Sequence, residues 1–259
     1  MVGDSKTRRA RLTLAALGVL VVGALIGGGV TAATILGGDD TKKDSSKGVS
    51  TASPSPSKSS VLINPNMTPE KGHKVPLIAP TGQRDGVSTG FPDTTDGAIS
   101  AVVYFWEEYD FLDDQKARQQ LNAVTSPDAD GYIDEQISQI RTLRENVGLP
   151  PSGGTPAGIT FQTSVNAARE RALADPSLPY GAVVSVWVDY DRYATQADGA
   201  PDKDPLKDQM TQFIVKWQGG AWKFTNEPKY TKQHDYPVSY APNSAWAWAD
   251  GWWQVRHAD

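Results

Sequence analysis

The chain opens with one long apolar run and is polar-patterned thereafter. No residue from Leu12 to Gly38 is charged, and the apolar stretch from Leu12 to Leu36 is 25 residues long. A bilayer is crossed by about 20. Lys6, Arg8, Arg9 and Arg11 precede the run, and Asp39 and Asp40 follow it. Positive flanks stay on the cytoplasmic side. The pattern therefore predicts a cytoplasmic tail over 1–11, a single transmembrane helix over 12–36, and an extracytoplasmic remainder at the cell membrane. A cleaved signal peptide has an apolar region of about 7–15 residues, shorter than this one. Gly23 and Gly27 carry the spacing that lets two membrane helices pack closely and self-associate, although glycine is common in such helices anyway.

Periodicity then stops. Residues 41–60 hold eight serines and two prolines and almost no apolar side chains. Such a stretch buries too little surface to offset its ordering entropy. Pro65, Pro69, Pro76 and Pro80 extend the irregular character, so 37–90 reads as a disordered Ser/Pro-rich tether.

Helical period appears next. Asp93 to Asp96 offer an N-cap, and Ile99, Val102, Val103, Trp106 and Tyr109 share one helical face. Leu112, Ala117, Leu121 and Val124 predict a second helix, stopped by Pro127. Ile133, Ile137, Ile140, Leu143 and Val147 predict a third, ended by Gly148 and Pro150-Pro151. After Pro151 the period changes to two. Ile159 to Val165 alternates as a strand; 166–174 fits either its continuation or a short helix. Ala182 to Tyr193 is rich in β-branched and aromatic residues, a strand composition. Met210 to Trp217 and Ala221 to Thr225 flank Gly219-Gly220, a hairpin pattern. Helices first and an antiparallel meander afterwards give an α+β domain over 91–230, followed by a Trp-rich tail over 231–259.

Charge sharpens this division. Net charge is +3 over 1–11, +2 over 39–90 and −10 over 91–259. An acidic domain is a poor partner for phosphate backbones, so direct nucleic-acid binding is not expected. Cysteine is absent, which excludes disulfide staples, thiolate catalysis and Cys-ligated zinc. Mean hydropathy is −0.43, against a polytopic transporter.

Two stretches carry a resemblance. One is Gly86-Val87-Ser88-Thr89-Gly90-Phe91-Pro92 with Thr95-x-Gly97-Ala98 opening a helix. The other is Val184-x-Val186-Trp187 followed by Phe213-x-Val215-x-Trp217-Gln218-Gly219-Gly220-x-Trp222-Lys223. Together they resemble uncharacterised secreted or membrane-anchored proteins of actinobacterial conjugative elements. Anchor, tether and helices-then-sheet order are also similar to bitopic type IV secretion assembly factors. That resemblance covers about 86–225. It implies a cone-shaped, nuclear-transport-factor-two-like domain, helices packed on a curved antiparallel sheet, with protein partners in a membrane complex. The fold hosts enzymes, binders and scaffolds alike. An acidic insertion between the second and third strands and the Trp-rich tail depart from the simplest pattern.

Candidate chemistry is sparse. Gly86-x-Ser88-x-Gly90 fits a nucleophile elbow, but that needs a strand before the serine and a helix directly after it. His234 and His257 are the conceivable partners. Ser55-x-x-Lys58 lies in the tether, with no preorganised pocket. Asp128-x-Asp130-Gly131 with Asp134 and Glu135 approaches a calcium loop, yet its glycine comes too early, and helix capping by Asp130 explains it better. Asp198, Asp202, Asp204 and Asp208 read as a solvated acidic loop, with a loose divalent-ion site as the lesser alternative. Glu107, Glu108 and Asp110 on the first helix are what acid–base work in a cone cavity would use; a solvated helix face accounts for them as well. Trp187, Trp217 and Trp222 fall in strands, as core or cavity lining. No phosphate-cradling glycine loop or dinucleotide fingerprint occurs, so neither cofactor nor metal is expected. Trp246, Trp248, Trp252 and Trp253 place half of the eight tryptophans in the last fourteen residues. The tail either folds back over the sheet or presents these four to a partner. The expected role is a non-enzymatic assembly or scaffold component of a conjugation-type, type IV secretion-like apparatus. The alternative is an extracytoplasmic ligand-binding or cell-wall-associated module using the cone cavity.

Overall fold

The computed structural model describes residues 69–195, 202, 204–233 and 236–257. The cytoplasmic tail, the 12–36 span and most of the tether, Ser55 and Lys58 included, lie outside the described residues. Among the described residues no helix is long and apolar enough to cross a membrane.

The architecture is α+β. A short 3-10 turn, Pro69–Lys71, precedes three short strands: β1 (Lys74–Pro76), β2 (Gly82–Arg84) and β3 (Val87–Thr89). Helices α1 (Thr95–Glu108), α2 (Asp114–Val124) and α3 (Tyr132–Asn146) follow. Four strands come next: β4 (Thr160–Ala172), β5 (Val183–Thr195), β6 (Leu206–Gln218) and β7 (Ala221–Phe224). The chain ends with α4 (Pro228–Thr231), α5 (Ala245–Ala249) and β8 (Trp253–Arg256).

The expected helices form where periodicity placed them. Thr94 caps α1, its hydroxyl accepting from the Gly97 N–H at 3.1 Å. Gly97 is required there: a Cβ would lie 2.1 Å from the Pro92 carbonyl oxygen. Asp113 caps α2 through the N–H groups of Gln115 and Lys116. Val102 and Val103 are 0% exposed and Trp106 1%. Burying each stabilises the fold by about 1.5–3 kcal/mol, so α1 is the main core helix. It packs across β4, β5, β6 and β7.

The large sheet runs β1-β8-β4-β5-β6-β7, and β2-β3 form a separate antiparallel pair. From β4 to β7 it is the expected antiparallel meander. Gly219 and Gly220 turn the last hairpin with φ of 61° and 78°, values only glycine adopts without strain.

Three expectations change and one open alternative is decided. The sheet is mixed and not purely antiparallel, because β1 pairs in parallel with β8. The spacer does not continue to Gly90: β1 to β3 join the folded body, with Val75 and Val87 buried at 1% and 0% exposure. The alternation there is only three residues per strand, too short to register against the surrounding prolines. Residues 166–172 continue β4, with a bulge between Val165 and Ala167 that moves the inward-facing side chains from odd to even positions. Gly131, in the left-handed region at φ 70°, occupies the N-cap position of α3 with no side-chain cap, so Asp130 does not cap it.

Both faces of the sheet are covered. The helix-facing side includes Val184, Val186, Val188, Tyr190, Phe213 and Val215 in one cluster with α1. On the opposite side Ala167 packs with Tyr240, Ala247, Trp248 and Trp252 from the C-terminal segment, with Trp187 and Met210 alongside.

Candidate functional site

The break between α1 and α2 makes a cleft. Helix α1 ends at Tyr109, whose backbone is extended at φ −72°, ψ 120°. Gln120 fixes the turn, its Nε2 donating to the Glu108 carbonyl at 2.8 Å and its Oε1 accepting from the Asp110 N–H at 2.9 Å. The facing wall is the 149–155 loop and the start of β4. Asp114, 2% exposed at its side chain, holds that loop through the Gly153 N–H, the Ser152 hydroxyl and Arg141. Burial alone would raise the Asp114 pKa; those three donors bring it below the ordinary value. Arg144 completes the brace by donating to the carbonyls of Pro150, Leu112 and Gly154.

The resulting cleft is about 300 Å³. Glu107, Glu108, Asp110 and Lys116 stand around it, with Phe111, Leu112, Ile159, Phe161 and Thr163 as its inner lining. Asp110 is held above its ordinary pKa chiefly by burial; Lys116, 3.9 Å away, pulls it down and Asp113 pushes it up.

The sequence-predicted acids thus converge on this cleft, but two of them are engaged. Glu107 Oε1 accepts from the Val165 N–H at 2.8 Å, and both its oxygens lie 2.9–3.0 Å from His257 Nε2. Glu108 accepts from the Ser88 N–H at 2.7 Å and from its hydroxyl at 2.6 Å. The glycine-flanked Ser88 therefore sits in β3 bonded to a carboxylate, not to an imidazole. His257 reaches the neighbouring glutamate instead, and His234 lies outside the described residues.

The remaining candidates disperse. Asp128 bonds Lys216 and Gln218, and Asp134 pairs with Arg118. Asp202 accepts from the Ala194 N–H, while Asp198 lies outside the described residues. Trp222 donates from Nε1 to the Pro92 carbonyl at 2.8 Å and packs edge-on against Trp217 at 5.5 Å. Trp187 lies on the opposite face, beside the C-terminal cluster. The four tail tryptophans split: Trp248 and Trp252 are 5% and 0% exposed under the sheet, whereas Trp246 and Trp253 are 64% and 41% exposed. Fold-back and surface presentation thus each describe one half of the set.

Two charged residues of β5 escaped the sequence reading. Arg192 is 0% exposed on the helix-facing side, and Asp189 is 1% exposed on the other. Arg192 Nε donates to Thr163 Oγ1 at 3.0 Å, while Nη1 and Nη2 have no hydrogen-bond partner. Its Cζ lies 3.7 Å from the Phe111 ring centroid and 4.9 Å from that of Trp106. Burial lowers its pKa from the ordinary guanidinium value. The available signal was alternation: Tyr190, Arg192 and Ala194 share the parity of Val184, Val186 and Val188.

No family model, curated protein or solved structure matches the chain.

Proposed function

We propose that the chain is a non-enzymatic, membrane-anchored assembly or scaffold component of a conjugation-type secretion apparatus. Residues 12–36 anchor it in the cell membrane, and a nuclear-transport-factor-two-like cone is displayed on the outer side. One observation carries this reading: the cleft glutamates are spent on structure. Glu107 fastens α1 to β4 and to His257, and Glu108 fastens it to β3. A general acid or base needs its lone pairs available to substrate. Here they lock three chain segments onto one helix, which makes a rigid body suited to recognition by protein partners.

The test is purification of the intact anchored protein from its own membranes, scored for co-purifying secretion ATPases or channel subunits. Stoichiometric recovery of such subunits is the expected result. Their absence under cross-linking removes the assembly role.

The second reading, an extracytoplasmic ligand-binding or wall-associated module, is favoured by the cleft together with Arg192, whose Nη1 and Nη2 make no hydrogen bond among the described residues.

A further inference from the structure

We infer that Arg192 is the anion-binding group of a receptor for a small organic carboxylate, entered from the cleft between α1, α2 and β4. This gives the ligand-binding reading its ligand class and does not depend on the assembly role.

Arg192 is fully buried and keeps its charge, because a guanidinium does not deprotonate in proteins. Of its three nitrogens, Nε alone is bonded; Nη1 and Nη2 make no hydrogen bond. No ion pair to it is found among the described residues. Rings of Phe111, Trp106 and Tyr190 lie within 5.3 Å of its Cζ. They offer π-faces to the cation, and although the Tyr190 and Tyr109 hydroxyls interact electrostatically with it, neither Nη1 nor Nη2 is hydrogen-bonded within the described residues. The same fold treats its other buried arginine differently: Arg144, 3% exposed, donates to three carbonyls. The shortfall at Arg192 is thus not a general feature of the buried arginines, and it is the largest on one charged group: two donors, where Trp106, Gln136 and Trp187 each leave one unmet.

That position abuts the cleft. Thr163 lines it and accepts from Arg192 Nε; Phe111 lines it and lies on the guanidinium face. Arg192 itself does not line the cleft, so an anion arriving there would meet Nη1 and Nη2 only by displacing the buried Phe111 ring, 3.7 Å from Cζ. A guanidinium fork matches a carboxylate with two parallel hydrogen bonds. The body of the ligand would rest against Leu112, Ile159 and Phe161, an apolar wall in a space of about 300 Å³, at the small end of ligand pockets. Glu107, Glu108 and Asp110 outnumber Lys116 among the charged lining residues, and that negative excess disfavours polyanions such as nucleotides or nucleic acid more than a monoanion with an apolar body.

The test uses the full chain in nanodiscs, with benzoate, hexanoate, benzamide and inorganic phosphate as probes. Binding is followed by the Arg192 Nε–Hε NMR signal and by calorimetry. Benzoate or hexanoate at millimolar concentration should shift that signal, benzamide should not, and Arg192→Met should weaken carboxylate binding by about tenfold or more. Arg192→Lys, which keeps the charge but not the fork, should recover only part of it. Should neither variant fold, the wild-type contrast of benzoate with its neutral amide still decides. Equal effects of benzoate and benzamide, or binding of phosphate alone, would leave a ligand pocket but overturn the carboxylate receptor. If no probe moves the Arg192 signal, both the receptor and the ligand-binding reading fail.

Discussion

The two faces of the sheet bury opposite charges three residues apart on β5 and resolve them differently. On the helix side Arg192 has two nitrogens without hydrogen bonds; on the tail side Asp189 has its Oδ2 without one. Asp189 Oδ1 accepts from Asn166 Nδ2 at 3.1 Å. Its pKa is pushed up to about 7, first by burial, with Asp208 and Asp191 adding repulsion and the Asn166 bond opposing it. Tyr240, on the same side of the sheet, is pushed up to about 12, by burial and then by Asp189. An aspartate in a poorly solvated place can discard its charge by taking a proton, and an arginine cannot. Burial alike in extent therefore produces a titrating group on one face and a permanent, anion-seeking charge on the other.

The covers of the two faces differ as well. Three consecutive helices cover one, whereas the other is covered by a segment that returns from the far end of the chain. Trp106→Ala, in the helix-side cluster, should cost about 3–5 kcal/mol in denaturant unfolding. Trp252→Ala, which also loses the Nε1 donation to the Val238 carbonyl, should cost a comparable amount, about 3–5 kcal/mol. Its loss of hydrogen-exchange protection should concentrate in 236–257. Uniform loss of protection across α1 and β5 in Trp252→Ala would show that the two covers are not separate layers.

Asp189 gives the comparison its pH dependence. The native state holds this proton up to about pH 7, while the unfolded chain releases it near the ordinary 3.8. Between those values the native state binds more protons, so stability falls as pH rises from about 4 to 7 and levels off above. Asp189→Asn should flatten this slope and leave the variant more stable than wild type at pH 8, by up to about 4 kcal/mol. Urea unfolding across that range measures it, and an unchanged slope refutes the assignment. Arg192→Met should behave oppositely in form: a gain of about 1–3 kcal/mol in ligand-free protein that is the same at every pH.

How much of this was legible in the sequence follows from the length of each pattern. The stripe Ile99, Val102, Val103, Trp106 runs over about two turns, and the Gly219-Gly220 turn has a fixed backbone demand; both were readable. Strand β1 is Lys74, Val75 and Pro76, and its partner β8 lies at the opposite end of the chain. Nothing local specifies that parallel pairing. Glu107, Glu108 and Asp110 were visible as candidates, but their engagement was not, because Val165, His257 and Ser88 are brought to them by tertiary packing. Arg192 was hidden by ordinary expectation: a charged residue near a strand end reads as solvated, and the three rings around it come from separate elements.

The smallest expected effect tests whether the two layers are tied together. Glu107 belongs to the helix layer, yet its carboxylate meets His257, just beyond β8, the strand that closes the tail layer. The imidazole side chain is 46% exposed, and solvent screening keeps such a pair weak. Glu107→Gln can keep the oxygen that accepts from Val165 N–H while removing the negative charge beside His257. It should therefore cost under about 1 kcal/mol overall. Backbone amides of 254–257 should exchange faster while those of 165–168 stay protected. Glu107→Ala removes both contacts and should lose protection at Val165 as well. If Glu107→Gln alone releases the tail as far as Trp248, the tie between the layers runs through this carboxylate, and the aromatic packing of Trp248 and Trp252 is secondary to it. Release confined to 254–257 places the adhesion of the tail in those two buried rings.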